Sequence, residues 1–193
     1  WLLATAWMQD PKALKILGDL YYSGAGVKTN YTAAADWYDK AAVRGNAQAQ
    51  YMLGLMYVAG HGVAQDYAES AKWCRKAADQ GLAIAQYDLG CGYAFGESVA
   101  KDDAEAINWF QKAAEQGFAN AQMALGKFYE IGRGVAKDEA EAAKWYRLAA
   151  DQGDADAQFM LGAMHADGCG VAKDDAESAK WCRKAADQGL AIA

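Results

Sequence analysis

Any chemistry in these 193 residues would most readily begin at two histidines and four cysteines. A nucleophilic thiol or hydroxyl needs a base beside it, and a metal needs several His, Cys or carboxylate ligands at set spacings. His61 lies between Gly60 and Gly62, and His165 stands where equivalent segments carry a tyrosine such as Tyr57. Neither has Cys, Asp or Glu at ligand spacing, so both read as structural, and neither metal nor cofactor is expected. Gly60-His61-Gly62 is no phosphate loop, because no third glycine follows at the required position and a helical pattern, not a strand, precedes it. The recurring loop aspartates form no D-x-D-x-D-G calcium loop. Nothing in the spacing of Ser, Cys and His argues for a triad, and the chain is expected not to be an enzyme.

The cysteines are too few for a disulfide framework. Cys74 and Cys91 fall on consecutive helical segments across one turn, which leaves a bond open, although their unequal distances from Gly81 put them at different heights. The other reading of Cys74 is a small apolar filler, since Phe110 and Tyr146 occupy the same position in other copies.

Those copies define the architecture. Leu-Gly recurs at Leu17-Gly18, Leu53-Gly54, Leu89-Gly90, Leu125-Gly126 and Leu161-Gly162, a fixed period of 36 residues. A period of this size marks a repeat array, in which each unit stacks on its neighbours. In residues 47–81, Ala49, Leu53 and Met56-Tyr57 share one helical face, and Gly60 and Gly62 end that helix. Asp66 with Glu69 has the form of a capping box for a second helix, repeated at Asp102/Glu105, Asp138/Glu141 and Asp174/Glu177. Asn30 keeps the cap in the first copy, without the acid. The second helix carries Ala71, Trp73, Cys74, Ala77 and Ala78 and stops at Gly81. Each unit is thus two antiparallel helices of roughly 20 Å. The fold class is all-α, a right-handed superhelical α/α solenoid. One domain over 1–193 is expected: a second helix of a preceding partial repeat at 1–9, repeats at 10–45, 46–81, 82–117, 118–153 and 154–189, and the start of a truncated repeat at 190–193.

Trp1 lies one period before Trp37, so the apolar opening follows the repeat register rather than a signal peptide. The last residues stop inside a helix-starting motif, and the parent array is expected to continue. No apolar run is long enough to span a membrane. The net charge of -6 argues against binding a nucleic-acid backbone, and a monomer is expected.

The pattern A-x-A-Q-x-x-L-G-x-x-Y-x-x-G-x-G-V, continued by Asp66, Trp73, Lys76-Ala77-Ala78 and Gly81, resembles the Sel-1-like repeat family, kin of tetratricopeptide repeats. The resemblance covers essentially the whole chain. Departures are local: Leu14 for the glutamine, Ser98 for the second loop glycine, Leu148 for the lysine and His165 for the tyrosine. It implies an adaptor scaffold that binds a protein or peptide partner. The family's bacterial members favour a periplasmic or secreted location, though compartment is otherwise open. A cysteine-rich branch of the family, which binds or hydrolyses β-lactams, pairs its cysteines within each hairpin. Cys74, Cys91, Cys169 and Cys182 do not follow that pattern, so that activity is not carried over. Cell-envelope carbohydrate or peptidoglycan binding is the alternative function.

Internal copies also separate scaffold from surface. Ala68–Ala85 is identical to Ala176–Ala193, three periods on, so the second helix is kept constant. On the first helix, four varying positions per copy form one stripe. By resemblance to tetratricopeptide arrays this helix lines the concave side, and the candidate partner-binding residues are Gln48, Met52, Leu55, Ile84, Asp88, Phe95, Lys127, Ile131 and Met160. The corresponding stripe of the second helix, from 72 onward, stays polar apart from Leu148. An apolar stripe with polar neighbours marks an interaction surface, or else a set of half-buried side chains that merely drift.

Overall fold

The structure, a computed structural model, describes residues 9–96 and 99–189. Within them the chain forms ten helices of thirteen residues each: α1 (Pro11–Ser23), α2 (Tyr31–Val43), α3 (Ala47–Ala59), α4 (Tyr67–Asp79), α5 (Ala83–Phe95), α6 (Asp103–Glu115), α7 (Ala119–Ile131), α8 (Glu139–Asp151), α9 (Ala155–Asp167) and α10 (Asp175–Asp187). The partial helix expected at 1–9, the stub at 190–193 and Ser98 lie outside the described residues, apart from Gln9. The architecture is the expected all-α array of helix hairpins. It divides into two compact units, the first running to Gly92 with Val99 and Ala100, the second comprising Tyr93–Gly96 and the chain from Lys101.

In the first unit the core is Leu14, Ala34, Tyr38, Ala41, Ala49, Leu53 and Met56, with Tyr57 and Trp73 packed against it. In the second it is Met123, Ala142, Tyr146, Ala149, Ala157, Leu161, Met164 and Trp181. Alanine dominates both, so helix axes approach closely and a few large rings fill what remains.

The recurring residues each have a physical task. Gly60 closes α3 with φ 67°, its N–H returning to Met56 O. Gly62 (φ 73°) presses on the start of the preceding second helix: a Cβ there would lie 2.2 Å from Tyr31 O. Gly134 meets Asp103 O and Gly170 meets Glu139 O in the same way, so the second loop glycine serves stacking as well as turning. The glutamines of the last four copies are buried, and Gln50, Gln86, Gln122 and Gln158 donate through Nε2 to the carbonyls of Ala42, Ala78, Ala114 and Ala150. Each thereby satisfies a carbonyl near the end of the second helix in the preceding hairpin, which helix geometry leaves without a partner. Lysines of the W-x-x-K motif lie over the indoles, Lys40 on Trp37 at 4.2 Å, Lys76 on Trp73 at 4.0 Å and Lys184 on Trp181 at 4.0 Å.

The capping boxes form by half. Asp66 Oδ1 accepts from Ala68 and Glu69 N–H, and Asp102, Asp138 and Asp174 cap likewise. The reciprocal bond is absent, because the N-cap N–H of Asp66, Asp102, Asp138 and Asp174 already donates to Tyr57, Tyr93, Tyr129 and His165 carbonyls across the hairpin. Glu69, Glu141 and Glu177 turn outward instead and pair with Lys72, Lys144 (2.6 Å) and Lys180 (2.8 Å). A hairpin whose two helices start and stop in register offers the better acceptor, and the acid becomes a surface ion pair of small value.

Candidate functional site: the first-helix faces and a cavity beside Cys74

The expected stripe is not sealed into either core. In the first unit Gln48 is exposed, and Leu55 and Ile84 are each 37% exposed. Met52 is half-buried against the core, and Asp88 is half-buried and accepts from the Tyr51 hydroxyl at 2.8 Å. In the second unit Phe95 is 66% exposed and Ile131 65%, Lys127 is exposed, and Met160 packs partly on the core. Arg133 lies 5.8 Å from the Phe95 ring, pairs with Asp103 at 2.6 Å and donates to Ala94 O. The stripe thus mixes two kinds of residue. Met52 and Met160 are largely packing side chains, whereas Leu55, Ile84, Phe95 and Ile131 face outward.

The second helices behave differently. Their matching positions are polar and exposed, such as Lys72, Asp79, Gln111 and Lys144, with Leu148 as the expected exception. Val43 is a second, 69% exposed, which the sequence comparison passed over. Tyr31 and Tyr67 are exposed where second helices begin.

The histidines are held structurally. His165 is buried, its Nδ1 3.2 Å from Ala172 O and its Nε2 3.3 Å from Arg147 Nη2. That geometry suits a proton on Nδ1, with Nε2 accepting. His61 stacks on Tyr31 at 4.5 Å. Among the described residues no group of three or more His, Cys, Asp or Glu could hold a metal ion. No helix among them is long and apolar enough to cross a membrane.

None of the four cysteines is in a disulfide, and all are half-buried. Their position explains the invariant Leu-Gly. Gly18, Gly54, Gly126 and Gly162 lie beneath one second-helix position, occupied by Tyr38, Cys74, Tyr146 and Cys182, and a Cβ on any of them would come within 2.4–2.7 Å of that side chain. Tyr38 donates its hydroxyl to Asp19 at 2.8 Å and Tyr146 to Glu130 at 2.6 Å. Where Cys74 replaces the ring, the first unit holds a cavity of about 240 Å³ lined by Leu55, Val58, Cys74, Asp88, Leu89 and Cys91, among others. Burial pushes the Cys74 thiol upward, with Ser70 opposing, so it is no thiolate nucleophile at neutral pH. Burial also raises the Asp88 carboxyl, with the Tyr51 hydroxyl opposing. Sequence reasoning found Leu55 and Asp88 but not the cavity. Its signal was the alternation of Tyr, Cys and Phe at 38, 74, 110, 146 and 182.

Residues 11–46, 47–82, 83–118, 119–154 and 155–190 match the Sel1 repeat. No curated protein matches the chain by sequence. Among solved structures, the chain is similar to a protective antigen of uropathogenic Escherichia coli strains displaying an SLR fold, with 42% identity and TM-score 0.90 over 93% of this chain and 38% of that one. It is similar also to a Sel1 repeat protein of Oxalobacter formigenes, at 37% identity and TM-score 0.86 over 94% of this chain and 72% of that one. Cysteine rich protein B of Helicobacter pylori matches at 26% identity and TM-score 0.51, over 65% of this chain and 90% of that one. The chain therefore spans well under half the length of the first of these relatives. Five consecutive matches make it a member of the Sel1 repeat family, whose proteins are generally interaction scaffolds and typically not catalysts.

Proposed function

We propose that this chain is a non-catalytic scaffold that binds a protein or peptide partner through its first-helix faces. The observation that carries this is the contrast between helix types at varying positions: outward apolar side chains at Ile16, Leu55, Ile84, Phe95 and Ile131 on first helices, against mainly polar ones on second helices. Apolar anchors with polar neighbours are the usual makings of an interface centre. In the first unit Leu55 and Ile84 are the anchors and Gln48 and Asp88 the polar neighbours. In the second, Phe95 and Ile131 serve with Lys127. Met52 and Met160 contribute an edge while holding their cores. A net charge of -6 supports a protein rather than a nucleic-acid partner.

The test replaces Leu55 and Ile84 by Asp in one variant, and Phe95 and Ile131 by Asp in another. Both should keep the thermal stability of the parent within about 1 kcal/mol, as exposed substitutions do. Crosslinking and mass spectrometry from the native cell should lose a partner seen with the parent. An unfolded variant would show that these side chains are core, and unchanged capture would place the partner elsewhere. The carbohydrate alternative requires exposed indoles on the same faces. The indoles of the second helices instead pack inward, with Trp109 and Trp181 buried.

A further inference from the structure

We propose that the cavity beside Cys74 receives the side chain of a tyrosine from the bound partner, in the place where sister hairpins hold their own tyrosine. The α1–α2 and α7–α8 hairpins display the occupied form of the same position. In each, a phenol ring lies over a helix glycine (Gly18 or Gly126) and its hydroxyl reaches a carboxylate of the first helix, Asp19 or Glu130. In the α3–α4 hairpin the glycine remains as Gly54, but the ring is reduced to the Cys74 thiol. One period on from Asp19 stands Leu55, and the equivalent of Glu130 is Val58, so the acceptor on the first helix is gone as well. Leu55 and Val58 now line empty volume, 37% and 42% exposed, at the face assigned above to the partner.

The cavity replaces both missing parts. Its volume of about 240 Å³ exceeds the roughly 150 Å³ of an engineered core cavity that takes up benzene, so a phenol ring fits. Leu55, Val58 and Leu89 supply apolar walls, and Asp88 supplies a carboxylate from α5, the next first helix. Asp88 already holds the Tyr51 hydroxyl through Oδ2, which fixes it in place as an acceptor. A phenol donating to it forms a charge-assisted bond. A benzyl ring leaves that half-buried carboxylate with less than it had from water, so tyrosine is preferred over phenylalanine. This assignment rests on the scaffold reading for its partner, but its test does not.

The full chain is titrated with p-cresol, toluene and N-acetyl-tyrosinamide and followed by backbone amide NMR. Expected are saturable shifts for cresol and the blocked tyrosine at Leu55, Val58, Cys74 and Asp88–Gly92, with toluene weaker by about tenfold, the size of one lost hydrogen bond. Cys74→Tyr and Cys74→Phe fill the cavity from within and should abolish binding, while Asp88→Asn should erase the preference for cresol. If Cys74→Tyr fails to fold, Cys74→Phe and Asp88→Asn decide. Absent saturation, binding that survives both filled variants, equal affinity for toluene, or cresol binding without the blocked tyrosine each overturns the proposal. Because the probes need no partner protein, any of those results leaves the scaffold reading intact. Cresol binding with no effect of the exposed-face variants on capture would instead retain the pocket and remove the assigned face.

Discussion

The first two hairpins are built on one pattern and differ in what they enclose. In α1–α2 the ring of Tyr38 is fully buried over Gly18. In α3–α4 the ring is replaced by Cys74, and the loop glycine Gly62 is wedged against the backbone of Tyr31. One hairpin is closed inside; the other is open. A repeat can therefore vary in what it encloses while its outer frame of glycines, caps and glutamines stays constant. Identical framework residues carry unequal loads, according to what stands beside them.

Alanine at the two loop glycines separates those loads most sharply. Both positions have positive φ, 67° at Gly60 and 73° at Gly62, so alanine costs about 1 kcal/mol at either through backbone strain. At Gly62 the new methyl would also collide with Tyr31 O, and rigid backbone cannot rotate away. Overpacking of that kind adds up to about 3 kcal/mol. Gly62→Ala should thus lose about 4 kcal/mol in urea denaturation and Gly60→Ala only about 1. Equal losses would mean that the Gly62 contact carries no load.

Converting the closed hairpin into the open one is the next largest change. Tyr38→Cys removes a buried ring and strands Asp19, whose other partner is Lys15 at 2.7 Å. Truncation of a buried aromatic costs about 3 kcal/mol, slightly less here because the thiol fills some of the volume. The variant should stay folded at low temperature and acquire a phenol-binding cavity of its own, detectable by cresol-dependent stabilisation. A loss under about 1 kcal/mol would mean that the hairpin collapses on the gap, and that the open form beside Cys74 depends on its neighbours and not on residue size.

These contrasts also show what the sequence could and could not reveal. Helix number and the polar stripe of the second helices follow from period and spacing, because they depend on residues repeated from copy to copy. The capping boxes were misjudged because Glu69 and Asp66 were considered along one helix, while the Asp66 N–H finds Tyr57 O on the other. Met52 and Leu55 looked alike as variable apolar positions. Only packing separates them, since Met52 leans onto the core and Leu55 does not. The cavity is not legible in the sequence because an empty volume is a relation among Leu55, Val58, Cys74 and a carboxylate 14 positions beyond Cys74, at Asp88.

The smallest expected effect concerns protons. Burial, then the hydrogen bond to a carboxylate, pushes the Tyr38, Tyr51 and Tyr146 hydroxyls above the ordinary phenol value of 10.0. A raised folded-state value favours the protonated phenol, so its stabilisation is complete below pH about 10 and is lost as pH climbs through the folded-state values. The protein should therefore hold a constant urea midpoint from neutrality to about pH 10 and weaken beyond it. Tyr38→Phe should cost about 1 kcal/mol at neutral pH through the lost bond, and its alkaline decline should be shallower than the parent's. Cys74→Tyr should steepen that decline, because burial raises the new phenol and Asp88 stands in the same cavity to accept from it. An unchanged decline in Cys74→Tyr would show its phenol turned away from Asp88, and the open hairpin would then differ from the closed one by more than its missing ring.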